Sequence, residues 1–441
     1  MLPQSIAPRF VVLLAGGVTA LFIGGYILQV ASPLRLNTDA VRLLHMAEVK
    51  QRTGVFPPEQ FPPLYPTVLA TLGSYGLDHR VWLVGVNYAS LAGTCLIAAA
   101  AAYRTIRQTW IGLLVVATIL GSWVTIKHAL IPLTDPLFTL LATSAVLLGE
   151  AARKNPAKLR RNFQWVAAFL LGFMAMQTRT VGAAVLVALV FGFVSPGAVA
   201  AWRNFRDPPS SRVGVRRMGL VVGVCVLGSI AAVTIQQQLS RPGSYLLNGL
   251  QYFERTGVNG FVAVMNFRGR EFAQLAANLP LSRMPAAVVP WLPLVGGAIG
   301  LALLRVLYQQ AANRPIIVGY LLTYTVILAV WPYEDPRFWL PVIPMVILLA
   351  VTSPLPGSMI LRRLATTAWL LYLSIGLIAL VMNVRLSFQT HTFPRSYTHG
   401  TLRASYLEAF GLPPERDAPL PDALAVNILR RHEPLAGLIP R

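Results

Sequence analysis

Charge is what this chain has least of. Only 12% of its residues are Asp, Glu, Lys or Arg, against roughly 25% in soluble domains. So few ionised groups cannot cover the surface of a water-soluble protein of 441 residues. Acids are scarcest, 16 against 37 Lys and Arg, which leaves a formal net charge of +21. Cysteine is nearly missing: Cys95 and Cys225 each lie inside an apolar block, which argues against a disulfide framework. There is no metal-ligand cluster of recognisable spacing, no nucleic-acid-binding motif and no visible internal repeat. In a soluble chain the basic excess would point to nucleic acid. Here the basic residues fall between apolar blocks, where membrane orientation and anionic lipid account for them, and no nucleic acid is expected as a partner.

What is abundant is apolar length. The chain is 55% apolar, in runs of roughly 17 to 25 residues, enough to cross about 30 Å of hydrocarbon. The predicted spans are 10–30, 81–103, 110–126, 136–150, 163–177, 181–199, 218–236, 286–307, 316–331, 339–352 and 366–382. That is an all-α polytopic membrane protein with about eleven transmembrane helices. Residues 10–30 have the look of a signal peptide, with Val30-Ala31-Ser32 as a loose cleavage site. Their length and the spans that follow favour a retained first helix.

The charges orient the bundle. Alternate loops hold Arg104 and Arg107, then Arg153, Lys154, Lys158, Arg160 and Arg161, then Arg203, Arg206, Arg212, Arg216 and Arg217. Later loops of the same set hold Arg305 with Arg314, and Arg362 with Arg363. The positive-inside rule makes all of these cytoplasmic. Most acids fall on the other side: Asp39, Glu48, Glu59, Asp78, Asp135, Glu254, Glu271, Glu334 and Asp335, with Glu150 and Asp207 as exceptions. The expected topology is a multi-pass protein of a plasma or inner membrane with its N-terminus cytoplasmic. The transmembrane domain covers 1–383. Two long outer loops span 31–80 and 237–285, and a short outer C-terminal segment covers 384–441. In the first loop, 39–50 reads as a surface helix with Ala40, Leu43, Leu44 and Ala47 as its apolar stripe, ended by Pro57-Pro58.

Five constellations can carry chemistry on that outer side. Asp39 follows the first span and is either a base at the membrane surface or the N-cap of the surface helix. Asp135 sits in a short outer turn and is either functional or a helix cap ahead of Pro136, and Lys127 and His128 nearby either pair with an anion of the substrate or anchor a helix end. Glu59 opens a rigid Pro-rich turn that ends in Tyr65-Pro66, where Tyr65 is a substrate contact or an interfacial anchor. Arg179 stands on the outer side against the charge bias, for phosphate or for a carboxylate. Arg337 follows Glu334 and Asp335, which either leave it for phosphate or satisfy it. His45 and Glu48 can share a metal with a distant ligand, or form a solvated helix face.

Taken in order, these segments resemble the GT-C membrane glycosyltransferases that use polyprenyl-phosphate sugars, such as protein O-mannosyltransferases and lipid A aminoarabinose transferases. The resemblance rests on Asp39, Pro62-Pro63-Leu64-Tyr65-Pro66, Thr134-Asp135-Pro136, Thr178-Arg179 and Arg337-Phe338-Trp339-Leu340-Pro341. It implies a GT-C-like fold with surface helices in the first outer loop and Asp39 as catalytic base, with Asp135 as the second-loop acid. It further implies a polyprenyl-phosphate sugar donor, a lipid, glycan or protein acceptor, and membrane lipids as surroundings. Ala40 stands where relatives often carry a second acid, and Phe338 where Tyr is usual. These departures leave a divalent metal ion open, with Asp39, His45, Glu48 and Asp135 as its candidate ligands. The expected activity is inverting sugar transfer on the outer side. The alternative is a polytopic transporter or lipid-linked sugar flippase, which would place ionisable groups at mid-membrane, often in repeats.

Overall fold

The computed structural model describes residues 8–57, 61–194, 245–353 and 358–389, with 428, 431 and 432. Among these there are helices and no strand. The chain runs through α1 (Pro8–Gln29), α2 (Thr38–Thr53), α3 (Leu64–Ser74), α4 (Arg80–Ile106), α5 (Thr109–Leu120), α6 (Trp123–His128) and α7 (Thr134–Lys154). It continues through α8 (Lys158–Thr178), α9 (Ala183–Val194), α10 (Tyr245–Ala277), α11 (Leu292–Gln310), α12 (Pro315–Ala329), α13 (Ile343–Thr352) and α14 (Met359–Ser387). Five of them, α1, α4, α7, α11 and α14, are long and apolar enough to cross a membrane. Four shorter apolar helices, α5, α9, α12 and α13, pack among them. Every predicted span except 218–236 overlaps a described helix; that block lies outside the described residues. The central core joins α4, α5, α7, α9, α12 and α13 through residues such as Val115, Ala142, Val146, Leu189, Ile316 and Tyr320. Large apolar side chains such as Leu13, Leu96, Phe163 and Leu301 stay exposed, as lipid-facing positions do when hydrocarbon is the solvent.

One predicted span is broken. The run 110–126 divides into α5 and α6 at Gly121-Ser122. Asn278, fully buried and at φ 55°, fills the break. Its Oδ1 accepts from the Trp123 amide at 2.7 Å, and its Nδ2 donates to the Gly121 and Tyr372 carbonyls, each at 2.8 Å. A side-chain amide carries both donors and an acceptor, so it can replace the lost helical bonds. The helix α14 approaches the break so closely that a Cβ on Gly376 would lie 2.1 Å from the Gly121 carbonyl oxygen.

The two ends of the bundle differ in charge. At one end Arg153 donates to the Asn313 carbonyl at 3.3 Å and Arg314 to Thr105 Oγ1 at 3.2 Å, so three basic loops meet. Buried Glu150 caps a neighbouring helix there: its Oε1 accepts from the Ile316 and Ile317 amides at 2.8 and 3.2 Å. A carboxylate at a helix N-terminus satisfies donors the helix cannot and complements its dipole. Replacing Glu150 with Ala strands two buried amides, each costing about 1–3 kcal/mol. The expected result is a clear drop in the thermal midpoint in detergent, with Glu150→Gln losing less because it keeps an acceptor oxygen. Equal midpoints for wild type and Glu150→Ala would refute the cap.

The described acids Asp39, Asp135, Glu271, Glu334 and Asp335 gather at the other end, one α7 length away, roughly 30 Å at 1.5 Å per residue. Here α2 lies on α3. Ala40, Leu43, Leu44 and Ala47 are buried as expected, joined by Val41 and Met46. All but Met46 share a small second core with Leu34, Tyr65, Leu69, Leu133 and Ile428. The helix stops before the predicted prolines, at Gly54 (φ 77°), whose amide returns to the Lys50 carbonyl at 2.9 Å. Glycine takes the left-handed conformation this cap needs without strain.

Candidate active site

Asp39 is not the cap of α2. Asn37 takes that place, its Oδ1 accepting from the Ala40 amide at 2.8 Å. Asp39 sits in the first helical turn, and its side chain is 32% exposed. The carboxylate is therefore free of a local backbone duty. Its Oδ2 takes a charge-assisted hydrogen bond from Arg337 Nη2 at 2.6 Å, across 298 residues of sequence.

Arg337 lies on a single 3-10 turn, Pro336–Trp339. Asp335 caps this turn through the Arg337 amide at 2.9 Å and also faces the Arg337 Nε at 3.2 Å. Of its two preceding acids Arg337 thus keeps only Asp335. Glu334 pairs instead with Arg270 of α10. The turn is held from beneath by Glu271, also on α10 and fully buried. Its Oε1 accepts from the Asp335 amide and its Oε2 from Trp339 Nε1, both at 2.7 Å. Arg268 stands 3.0 Å from the same carboxylate and also donates to the Tyr333 carbonyl. Burial pushes the Glu271 pKa up to about 7, against the pull of Arg268 and the two hydrogen bonds.

Asp135 is also not a cap. Helix α7 begins at Thr134, so Pro136 is its third residue, two deeper than the expected first position. No side chain caps this end, and the Asp135 carboxylate instead binds Arg179. Asp135 is almost sealed, 2% exposed, beneath an Arg179 that is 17% exposed. This pairing explains an arginine on the acid-rich end. The two ion pairs meet at Phe338. The Arg179 guanidinium lies 5.2 Å from its ring centroid and that of Arg337 lies 5.4 Å from it. Such distances allow cation–π attraction. Four charged groups from the first loop, α7, the end of α8 and the 336–339 turn thus gather about one aromatic ring.

His128 closes one side. Its Nδ1 lies 2.8 Å from the Val124 carbonyl, which can only accept, so that nitrogen carries the proton. Burial, then the nearby Arg337 and Lys127, push its pKa down to about 3, so the ring is neutral. Lys127 itself is exposed, its ammonium 5.9 Å from the Trp123 ring centroid. Tyr65 is fully buried rather than open to a substrate. Its hydroxyl meets Asn87 Oδ1 at 3.2 Å, and Asn87 Nδ2 bonds the Ile131 and Ala129 carbonyls, at 2.5 and 3.3 Å. Tyr65 and Asn87 therefore brace the segment that leads to Asp135. Glu59 lies outside the described residues.

Among the described residues no three His, Cys, Asp or Glu side chains gather as a metal-ligand set. Asp39 and Asp135 each face an arginine, and Glu48 binds Arg52 and Arg431 at 2.6 and 2.7 Å. His45, half-buried on α2, belongs to no set of three such side chains among them. The candidate ligands do not converge on one point.

Glu271, Arg268, Asn87 and Asn278 were not singled out by spacing or resemblance. Glu271 was legible only as one outer acid among many, Asn87 as a polar residue inside the 81–103 run and Asn278 as one in the second long outer loop.

The architecture, helices spanning a membrane with surface helices in the first loop and a polar cluster beside them, is GT-C-like. It matches the crystal structure of ArnT from Cupriavidus metallidurans bound to undecaprenyl phosphate with a TM-score of 0.53 and 14% sequence identity, over 97% of this chain and 86% of that one. The apo structure of the same ArnT aligns over 95% of this chain and 85% of that one, at 15% identity and a TM-score of 0.48. No protein-family model and no curated protein matches the sequence.

Proposed function

We propose that this protein is an inverting glycosyltransferase that moves a sugar from a polyprenyl-phosphate donor to an acceptor on the outer side of a plasma or inner membrane. The observation that carries the reading is the convergence of Asp39, Asp135, Arg179 and Arg337 about Phe338. The GT-C-like fold agrees with it, and the ArnT of similar fold was crystallised with undecaprenyl phosphate.

In the proposed reaction an acceptor hydroxyl attacks the anomeric carbon. The bond from that carbon to the phosphate oxygen breaks, and the electron pair leaves with the phosphate. Asp39 takes the hydroxyl proton. One displacement inverts the anomeric centre. Phosphate is already a good leaving group, so positive charge on it does more than a strong acid would. Arg337 supplies that charge. In the resting site Arg337 holds Asp39, and a lipid phosphate competes for the same guanidinium. Donor binding therefore both neutralises the phosphate and releases the base. Asp335 keeps Arg337 in place during the exchange. Asp135, sealed under Arg179, is assigned to positioning: it aims Arg179, while Arg179 and Lys127 hold the phosphate's remaining charge. His128, neutral, offers its other nitrogen as a hydrogen-bond acceptor.

The test is to incubate purified protein with a panel of polyprenyl-phosphate sugars and acceptors, following released lipid phosphate and the anomeric configuration of the product. Release with inversion is expected. Sugar-lipid translocation in proteoliposomes with no new glycosidic bond would favour a transporter instead.

A further inference from the structure

We infer that Glu271, a fully buried carboxylate outside the reacting cluster, is a positioning residue that sets Arg337 against the donor phosphate by clamping the 335–339 turn. The inference rests on the proposed transferase reading for its catalytic part.

The geometry is specific. Both Glu271 oxygens are engaged, one by the Asp335 amide and the other by Trp339 Nε1 and Arg268. These two anchor points bracket Arg337. Trp339 is in turn packed 4.5 Å, centroid to centroid, from Phe272, the residue after Glu271. Arg268 ties the preceding stretch of the loop to the same helix through the Tyr333 carbonyl. Tyr324 of α12 donates to the Phe338 carbonyl. Arg337 is thus carried on a one-turn element pinned by two helices. A guanidinium aimed at a phosphate must be held within fractions of an ångström to be effective, and buried supporting hydrogen bonds supply that rigidity.

The clamp needs an acceptor on both oxygens. A protonated carboxyl or an amide presents one donor to a site already filled with N–H groups. Protonation therefore breaks one anchor. The charged or titratable groups facing Glu271 are Arg268 on its own helix, Glu334 and Asp335 on the loop, and Tyr324 on α12. With its pKa raised to about 7, the clamp is complete above neutrality and opens as pH falls through that value.

The experiment compares wild type with Glu271→Gln and Trp339→Phe in the full-length protein. Hydrogen–deuterium exchange is read on 331–341 at one pH, and kcat/KM for a polyprenyl phosphodiester sugar is read across pH. The phosphodiester has no ionisation near neutrality to confuse the profile. Glu271→Gln is expected to speed exchange of the Asp335 amide and its neighbours about ten-fold or more and to lower kcat/KM about ten- to hundred-fold. It should also abolish the acid limb near pH 7. Trp339→Phe, which removes one of the bonds, should fall between. Unchanged exchange in Glu271→Gln overturns the clamp. Faster exchange with unchanged kcat/KM and acid limb overturns its role in positioning Arg337. If wild type transfers no sugar from any polyprenyl donor, the transferase reading falls, and the exchange data still decide whether the clamp exists.

Discussion

An Asp39→Asn variant is expected to lose sugar transfer by about 10²–10⁴-fold, the range a general base contributes. The substitution conserves volume and the helical position. Asn37, which caps the helix, is untouched, so folding should survive with a thermal midpoint close to wild type. The amide oxygen can still accept from Arg337, and only the proton-accepting charge is lost. A second consequence follows from the 2.6 Å Asp39–Arg337 pair. Asp39 competes with the donor phosphate for Arg337, so neutralising it should tighten binding of a polyprenyl phosphate by several-fold while turnover collapses. The check is single-turnover release of lipid phosphate together with a binding isotherm. Retained turnover would remove Asp39 as the base. Weaker lipid binding would refute the competition.

Arg337→Ala should cost about 10²–10³-fold in kcat/KM for the donor, the scale for losing one preorganised electrostatic contact to a developing anion. Its side chain is only 8% exposed, but its partners Asp39 and Asp335 are 32% and 33% exposed. Water can therefore solvate the two carboxylates left behind, and the loss should fall on catalysis more than on folding. Arg337→Lys keeps the charge and gives up the planar fork that spans two carboxylates, so it should recover only part of the activity. Polyprenyl-phosphate affinity separates the alternatives. An Arg337→Ala protein that binds the lipid phosphate as wild type does would make Arg337 a partner for acids and nothing more. Arg179→Ala offers a contrast: it uncovers Asp135, 2% exposed, and leaves a buried carboxylate unpaired. Breaking a pair from one side in that way costs about 3–5 kcal/mol, so its loss of activity should come with a lower thermal midpoint.

Apolar helices were legible because hydrophobic length is a local property. A run such as 81–103 contains nearly all the information that makes α4 a helix in lipid. The run 110–126 looked equally continuous. It breaks because Asn278, from another part of the chain, offers better-placed bonds than the next helical turn does. The candidate site was legible in membership, through Asp39, Asp135, Arg179 and Arg337, and not in roles. Asn37 and Asp39 are both good caps by composition, and only the hydrogen bond to the Ala40 amide tells them apart. Tyr65 looked like a hydroxyl at an interface and is a sealed brace on Asn87. Glu48, legible either as half of a metal site or as part of a solvated helix face, joins Arg52 and Arg431.

The amino-acid sequence by itself determined a bundle of apolar helices with acids gathered at one end, because both follow from how each short stretch partitions between water and hydrocarbon. Tertiary structure alone decided which acid meets which arginine, because a pair such as Asp39 and Arg337 is formed by packing between distant helices and leaves no trace in the residues flanking either one.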